Sequence, residues 1–101
     1  MIDLSEDHIE TVLEILKKYV PNCEVLVFGS RISGNAKPYS DLDLAIKGDE
    51  PLDFDILRLL KESFENSNLP IRVDVLDWHG ISEQFQKVIE TRCKKIQTRF
   101  R

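Results

Sequence analysis

Cysteine is scarce in this sequence. Cys23 and Cys93 are its only two, with no CxxC and no second ligand pair at metal-binding spacing. A disulfide framework and a structural zinc site are therefore not expected, and free thiols suit a reducing compartment. Histidine is as rare, with His8 and His79 far apart and without zinc-like neighbours. No stretch approaches the ~20 apolar residues of a membrane span. The first ten residues, MIDLSEDHIE, are acidic and lack the apolar centre of a secretory leader, so a cytoplasmic protein without membrane contact is expected. Positive charge is not in excess either. Fourteen Lys and Arg against eighteen Asp and Glu leave a net charge of −4, which argues against direct nucleic-acid binding by phosphate neutralisation.

What is present is the composition of a globular protein: 101 residues, 42% apolar and 32% charged. That length predicts a single domain over residues 1–101. A chain this short buries only about two-thirds of its unfolded surface, so a homo- or hetero-oligomeric partner would find apolar area to cover. From Arg92 onward the chain carries Arg92, Lys94, Lys95, Arg99 and Arg101 and no acid. These cations read as the last turn of a helix and a frayed end; a patch for RNA or an acidic partner is the competing reading.

Periodicity gives the element order. Ser5 is the expected N-cap of a first helix whose Ile9, Val12, Leu13, Leu16 and Val20 recur at helical spacing before Pro21. EVLVF at 24–28 reads as a strand buried on both faces, ended by Gly29. Residues 30–40 have loop composition, with a short helical turn possible at 30–34. Residues 41–47 alternate, with Leu42, Leu44 and Ile46 on one face and Asp41, Asp43, Ala45 and Lys47 on the other. A second helix is predicted over 53–66 and a third strand over 71–78. A third helix capped by Ser82 would carry the stripe Phe85, Val88, Ile89, Cys93 and Ile96. The result is an α/β (α+β) fold, a small mixed sheet flanked by helices.

The chemistry concentrates in GSRISGNAKPYSDLDL, residues 29–44. Asp41 and Asp43, at i and i+2 of a strand, project to one side with Cα atoms about 6.5–7 Å apart. Such a pair can hold hard divalent cations, with magnesium the natural guest; alternating Asp and Leu is equally what an amphipathic strand looks like. Asp74, on the face of the third strand opposite Val73 and Val75, could join them, or could be neutralised by Arg72. Gly29 and Ser30 offer backbone N–H groups and a hydroxyl to phosphate, with Arg31 and Lys37 as nearby cations. Asp77 has the wrong parity to join. Lys47 reads as solvated, Trp78 and Phe100 as core or dimer contacts, and Tyr39 as packing under the loop or stacking on a base.

The run Gly29-Ser30-Arg31, Gly34, Ala36, Ser40-Asp41-Leu42-Asp43-Leu44, followed by Asp74 on a later strand, closely resembles the polymerase-beta-like nucleotidyltransferase superfamily, and within it the minimal, single-domain MNT type. The resemblance covers residues 24–77 in motif. It implies the palm-like sheet of that superfamily, with the three carboxylates on adjacent strands. It further implies that Gly29, Ser30 and Arg31 bind the nucleotide phosphates, and that Asp41, Asp43 and Asp74 ligate two Mg2+ ions, Asp74 also helping to activate the attacking hydroxyl. ATP would be the nucleotide substrate. Since minimal members commonly accompany a small helical HEPN or four-helix protein, the resemblance implies an antitoxin that adenylylates a tyrosine of such a partner. Two alternatives stand beside it: a non-catalytic module that neutralises a helical protein by contact, and a free-standing transferase for a small molecule such as an antibiotic. The last of these predicts a roomy pocket lined by the third helix.

Overall fold

In a computed structural model, residues 2–34, 36–37 and 40–98 are described. The first helix, α1 (Glu6–Tyr19), starts where the Ser5 hydroxyl accepts the His8 N–H, carries Glu6 and Asp7 in its first turn and Lys17 and Lys18 in its last, and so complements its own dipole at both ends. Its buried Val12 and Leu16 sit one turn apart. β1 (Glu24–Phe28) follows the break at Pro21. A four-residue helix, α2 (Ser30–Ser33), leads into the loop before β2 (Leu42–Lys47). α3 (Phe54–Glu65) is capped by Asp53 and crosses over to β3 (Val73–Asp77). A single 3-10 turn (Trp78–Gly80), α4 (Glu83–Thr91) and β4 (Lys94–Gln97) complete the chain.

The sheet has the order β3-β2-β1-β4. β1 pairs antiparallel with β2 and with β4, while β2 and β3 run parallel, as a helical crossover between them requires. The fold is the expected mixed sheet flanked by helices. On one face, Val25, Val27, Leu42, Leu44, Ile46 and Val75 pack against Val12 and Leu16 of α1 and Leu60 and Phe64 of α3. Each fully buried aliphatic chain there contributes roughly 1.5–3 kcal/mol. The other face is covered only in part. Leu26 and Ala45 meet Trp78 and Ile89, with Phe28, Ile81 and Cys93 at the margin. The small side chain of Ala45 belongs to that same cluster, and the Lys47 ammonium lies 4.8 Å from the Trp78 ring centre, a cation–π contact where solvation was expected.

The third helix is shorter than its periodicity predicts. It stops at Thr91 because Arg92 is extended (φ −154°, ψ 94°), and Lys94–Gln97 then form a fourth strand on the free edge of β1. Ile96 therefore packs from a strand, not from a helical stripe. Lys94 and Lys95 are strand residues, and Lys95 pairs with Glu24 at 3.4 Å, so the expected last helical turn of cations is not formed. Gln97 anchors the new strand by donating from Nε2 to the carbonyls of Val20 and Cys23 at 2.9 and 3.0 Å. Val88, placed in the buried stripe by spacing, is 62% exposed. Tyr39, Arg99, Phe100 and Arg101 lie outside the described residues. Among the described residues no helix is long and apolar enough to cross a membrane.

Candidate active site

The partly open face of the sheet carries the carboxylates. Asp43 faces Phe28 across the antiparallel pair and Asp74 across the parallel one. Register partners point to the same side of a sheet, and adjacent strands lie about 4.8 Å apart, so the Asp43 and Asp74 carboxylates are neighbours. Asp41 stands two residues upstream, at the mouth of β2. The charges of both neighbours are felt at Asp43. The Asp43 carboxyl is pushed above its ordinary range first by burial, then by the charge of Asp74, then by that of Asp41.

Gly29 brings the turn against this group. Its φ of +82° with ψ −155° is a backbone region that only glycine occupies without strain. A second constraint coincides with the first: a Cβ on Gly29 would collide with Asp43 Oδ2 and lie 3.2 Å from Asp43 Cγ. The turn that carries Ser30 is thus in direct contact with the central carboxylate. The i+2 pattern and the glycine were legible in the sequence; this contact was not, because it joins the turn after β1 to the separate strand β2.

Asp74 does have the partner that the sequence offered it. Arg72 Nη2 approaches Asp74 Oδ1 at 3.3 Å, but the two side chains are 74% and 45% exposed. An ion pair so open to water is worth about 1 kcal/mol or less and is readily exchanged for another cation. Asp77 is occupied elsewhere, accepting the N–H groups of Leu52 and His79, which agrees with its exclusion on parity.

Arg31 departs from expectation. Its side chain is not presented to a phosphate but is buried, with 7% of the residue exposed. Nε and Nη2 donate to the Ser40 carbonyl at 3.3 and 2.8 Å, Nη2 also to Lys37 O at 3.3 Å, and Nη1 to Asp3 O at 2.9 Å. The guanidinium fork is thus engaged by main-chain oxygens, while its positive charge and its backbone stay beside the turn.

Beside Gly29 lies a depression of about 500 Å³ lined by Phe28, Ser33, Val88, Ile89, Thr91 and Arg92. Phe28 meets Phe85 edge-on, with ring centres 6.0 Å apart. Periodicity had assigned Phe85 and Val88 to the core, and their exposure shows instead an apolar shelf next to the carboxylates.

The donor set suits magnesium, since hard carboxylate oxygens are what that ion takes, and a divalent cation would offset both the burial and the neighbouring charges that raise Asp43. The set is open, however. Among the described residues no three His, Cys, Asp or Glu side chains converge closely enough to hold an ion alone. An open set fits a metal that keeps several waters or phosphate oxygens in its shell.

Comparison with known proteins supplies the family and the fold. Residues 10–99 match the family model described as "Polymerase beta, Nucleotidyltransferase". The probable protein adenylyltransferase MntA of Haemophilus influenzae is 50% identical over 96 residues, covering 95% of this chain and 84% of that protein. A toxin–antitoxin crystal structure with AMP-PNP superposes with a TM-score of 0.74 at 24% identity, over 89% of this chain and 73% of that one. The complex of a tri-AMPylated Shewanella oneidensis HEPN toxin with its MNT antitoxin gives 0.69 at 22%, over 94% and 74%. At those identities the two structures speak for the fold.

Proposed function

The chain belongs to the polymerase beta nucleotidyltransferase family, and we propose that within it residues 1–101 act as one domain that transfers AMP from ATP to a hydroxyl. The acceptor is a tyrosine on a small helical partner of the HEPN type, and the transfer makes this protein the antitoxin of a toxin–antitoxin pair in the cytoplasm. One observation carries the reading: Asp43 is flanked in register by Asp74, preceded at i−2 by Asp41, and pressed against the glycine turn, all on the sheet face that helices leave partly open. The half-identical relative named as a protein adenylyltransferase, and the neighbouring folds found with HEPN toxins, support the choice of acceptor.

The reaction is in-line displacement at the α-phosphorus. The acceptor oxygen forms the new P–O bond, the bond to the β-phosphate bridge breaks, and pyrophosphate leaves. Ser30 and the backbone of the turn hold the outer phosphates and fix the line of attack. Asp41 and Asp43 would hold two Mg2+ ions, with Asp74 on one of them, and the metal supplies charge compensation for the entering and departing oxygens. Asp74 lies on the edge strand, where its half-exposed carboxylate can take the proton of the incoming hydroxyl.

Incubation of the purified protein with its partner, Mg2+ and α-labelled ATP tests this directly. Label is expected on the partner, and none with Asp41→Ala or Asp43→Ala. A complex that forms but never takes label would identify a module that acts by contact alone. The depression beside Gly29, lined by four residues of the α4 region as the small-molecule reading requires, favours one second possibility. Turnover of a small hydroxyl compound with no partner present would establish it.

A further inference from the structure

The loop between Ser30 and Asp41 has to hold two things in register: a turn for phosphate and a carboxylate for metal. Asp43 and Asp74 need no help from it, because each sits inside a paired strand. Asp41 is different. It precedes the first strand residue, Leu42, whose N–H is the first to be tied into the sheet region, donating to Arg72 O at 2.9 Å. Its position depends on whatever fixes Ser40.

What fixes Ser40 is Arg31. The guanidinium takes the Ser40 carbonyl through two of its nitrogens and the Lys37 carbonyl through one. Lys37 and Ser40 are also tied directly to each other, by Ser40 N–H to Lys37 O at 3.0 Å and Lys37 N–H to Ser40 Oγ at 2.8 Å. The third arm reaches the N-terminal segment, where Asp3 accepts from Nη1 and returns its own N–H to Arg31 O at 2.9 Å. Arg31 is covalently next to Ser30, and Ser40 is covalently next to Asp41. One buried guanidinium therefore spans the two halves of the site. Charge-assisted bonds to main-chain carbonyls are the strong kind, and only a planar fork can make them to three residues at once.

On the reading that the site binds metal-ATP, we propose that Arg31 is a positioning residue that sets the distance between the Ser30 phosphate turn and the Asp41 metal ligand. Its contribution runs through Ser30 and Asp41 and leaves Asp43 and Asp74 untouched. Asp3, Lys37 and Ser40 are each recognised by a carbonyl, so Asp3→Ala is expected to leave the strut intact.

The test is Arg31→Lys, which keeps the charge and loses the fork. In the ligand-free protein, amide hydrogen exchange at Lys37 and Ser40 is expected to speed up while the strand amides of β1 and β2 keep wild-type protection. Calorimetric titration with Mn2+-ATP is expected to show binding weakened roughly tenfold or more, the size usual for removing a group that orients a metal ligand. In a double-mutant cycle, Arg31→Lys is expected to add nothing to Asp41→Asn but its full effect to Asp74→Asn. Wild-type affinity with a protected loop would overturn the proposal, as would equal additivity with both aspartates, the mark of a general loss of packing. Should Arg31→Lys melt below the assay temperature, Ser40→Ala opens the same turn from the other side, and unchanged affinity there would overturn it as well. If the wild type itself fails to bind Mn2+-ATP, it is the functional reading that falls, while the exchange experiment still judges the strut.

Discussion

Replacing Asp43 by Asn should make the metal-free protein more stable and the nucleotide-loaded protein less so. Asp43 and Asp74 face each other across the parallel pair, which puts their carboxylates roughly 5–6 Å apart. At that separation two unit charges repel by about 0.8 kcal/mol in water and about 3 kcal/mol at an effective dielectric of 20. The site is half open to solvent, so the watery limit is nearer, and about 1 kcal/mol of repulsion remains after screening. Among the described residues no side-chain hydrogen bond or ion pair of Asp43 would be lost in exchange. For a chain of this size 1 kcal/mol moves Tm by about 4–8 °C, so Asp43→Asn in EDTA should melt that much higher. Magnesium and ATP at a hundredfold excess over Kd should stabilise the wild type by about 2.7 kcal/mol and the variant hardly at all, reversing the order. Differential scanning fluorimetry under the two conditions reads both limbs. A variant that melts lower in EDTA, or that gains as much as wild type from magnesium and ATP, would show that Asp43 has a structural task and no ligand.

The same residue fixes a pH dependence: because its folded pKa is raised above the ordinary 3.8, the folded state holds a proton that the unfolded chain has released between those two values. Metal-free stability should therefore rise on acidification through the raised pKa, level off near the ordinary one, and lose this component in Asp43→Asn; urea midpoints across that range check it. Gly29→Ala meets both a positive φ and the Asp43 carboxylate, so a loss of about 1–3 kcal/mol together with nucleotide binding is expected, measurable by urea melts and by ATP titration. Gln97→Ala, which removes two bonds that moor β4, should cost about 1–2 kcal/mol in the same melts and leave nucleotide binding intact. Asp74→Asn should abolish AMP transfer to the partner in the labelling assay while the fold, followed by circular dichroism, is retained.

Short-range signals were legible in the sequence where one element decides the outcome. The Ser5 cap, the alternation of β2 and the apolar run of β1 each depend on neighbours within a few positions, and the structure places those elements within a residue or two of the expectation. β4 was hidden because Phe85, Val88, Ile89, Cys93 and Ile96 keep helical spacing straight through Arg92. The hydrogen bonds that turn Lys94–Gln97 into a strand come from β1, some seventy residues earlier. Arg31 was misread for a related reason. An arginine beside a phosphate-type turn is usually a surface cation, and nothing nearby announces that carbonyls from Asp3, Lys37 and Ser40 will surround it. The face shared by Asp43 and Asp74 could be read from parity alone; that Gly29 touches the first of them follows from strand pairing, which parity does not encode.

Because the buried guanidinium grips the peptide oxygens of Lys37 and Ser40, spacing there counts for more than spelling. Of those two side chains it is the Ser40 hydroxyl, which accepts the Lys37 N–H, that has a task of its own. Lengthening or shortening the stretch from 36 to 40 by a single residue would shift the aspartate beyond it relative to the bend before it. Natural variation there should therefore take the form of substitutions at constant spacing.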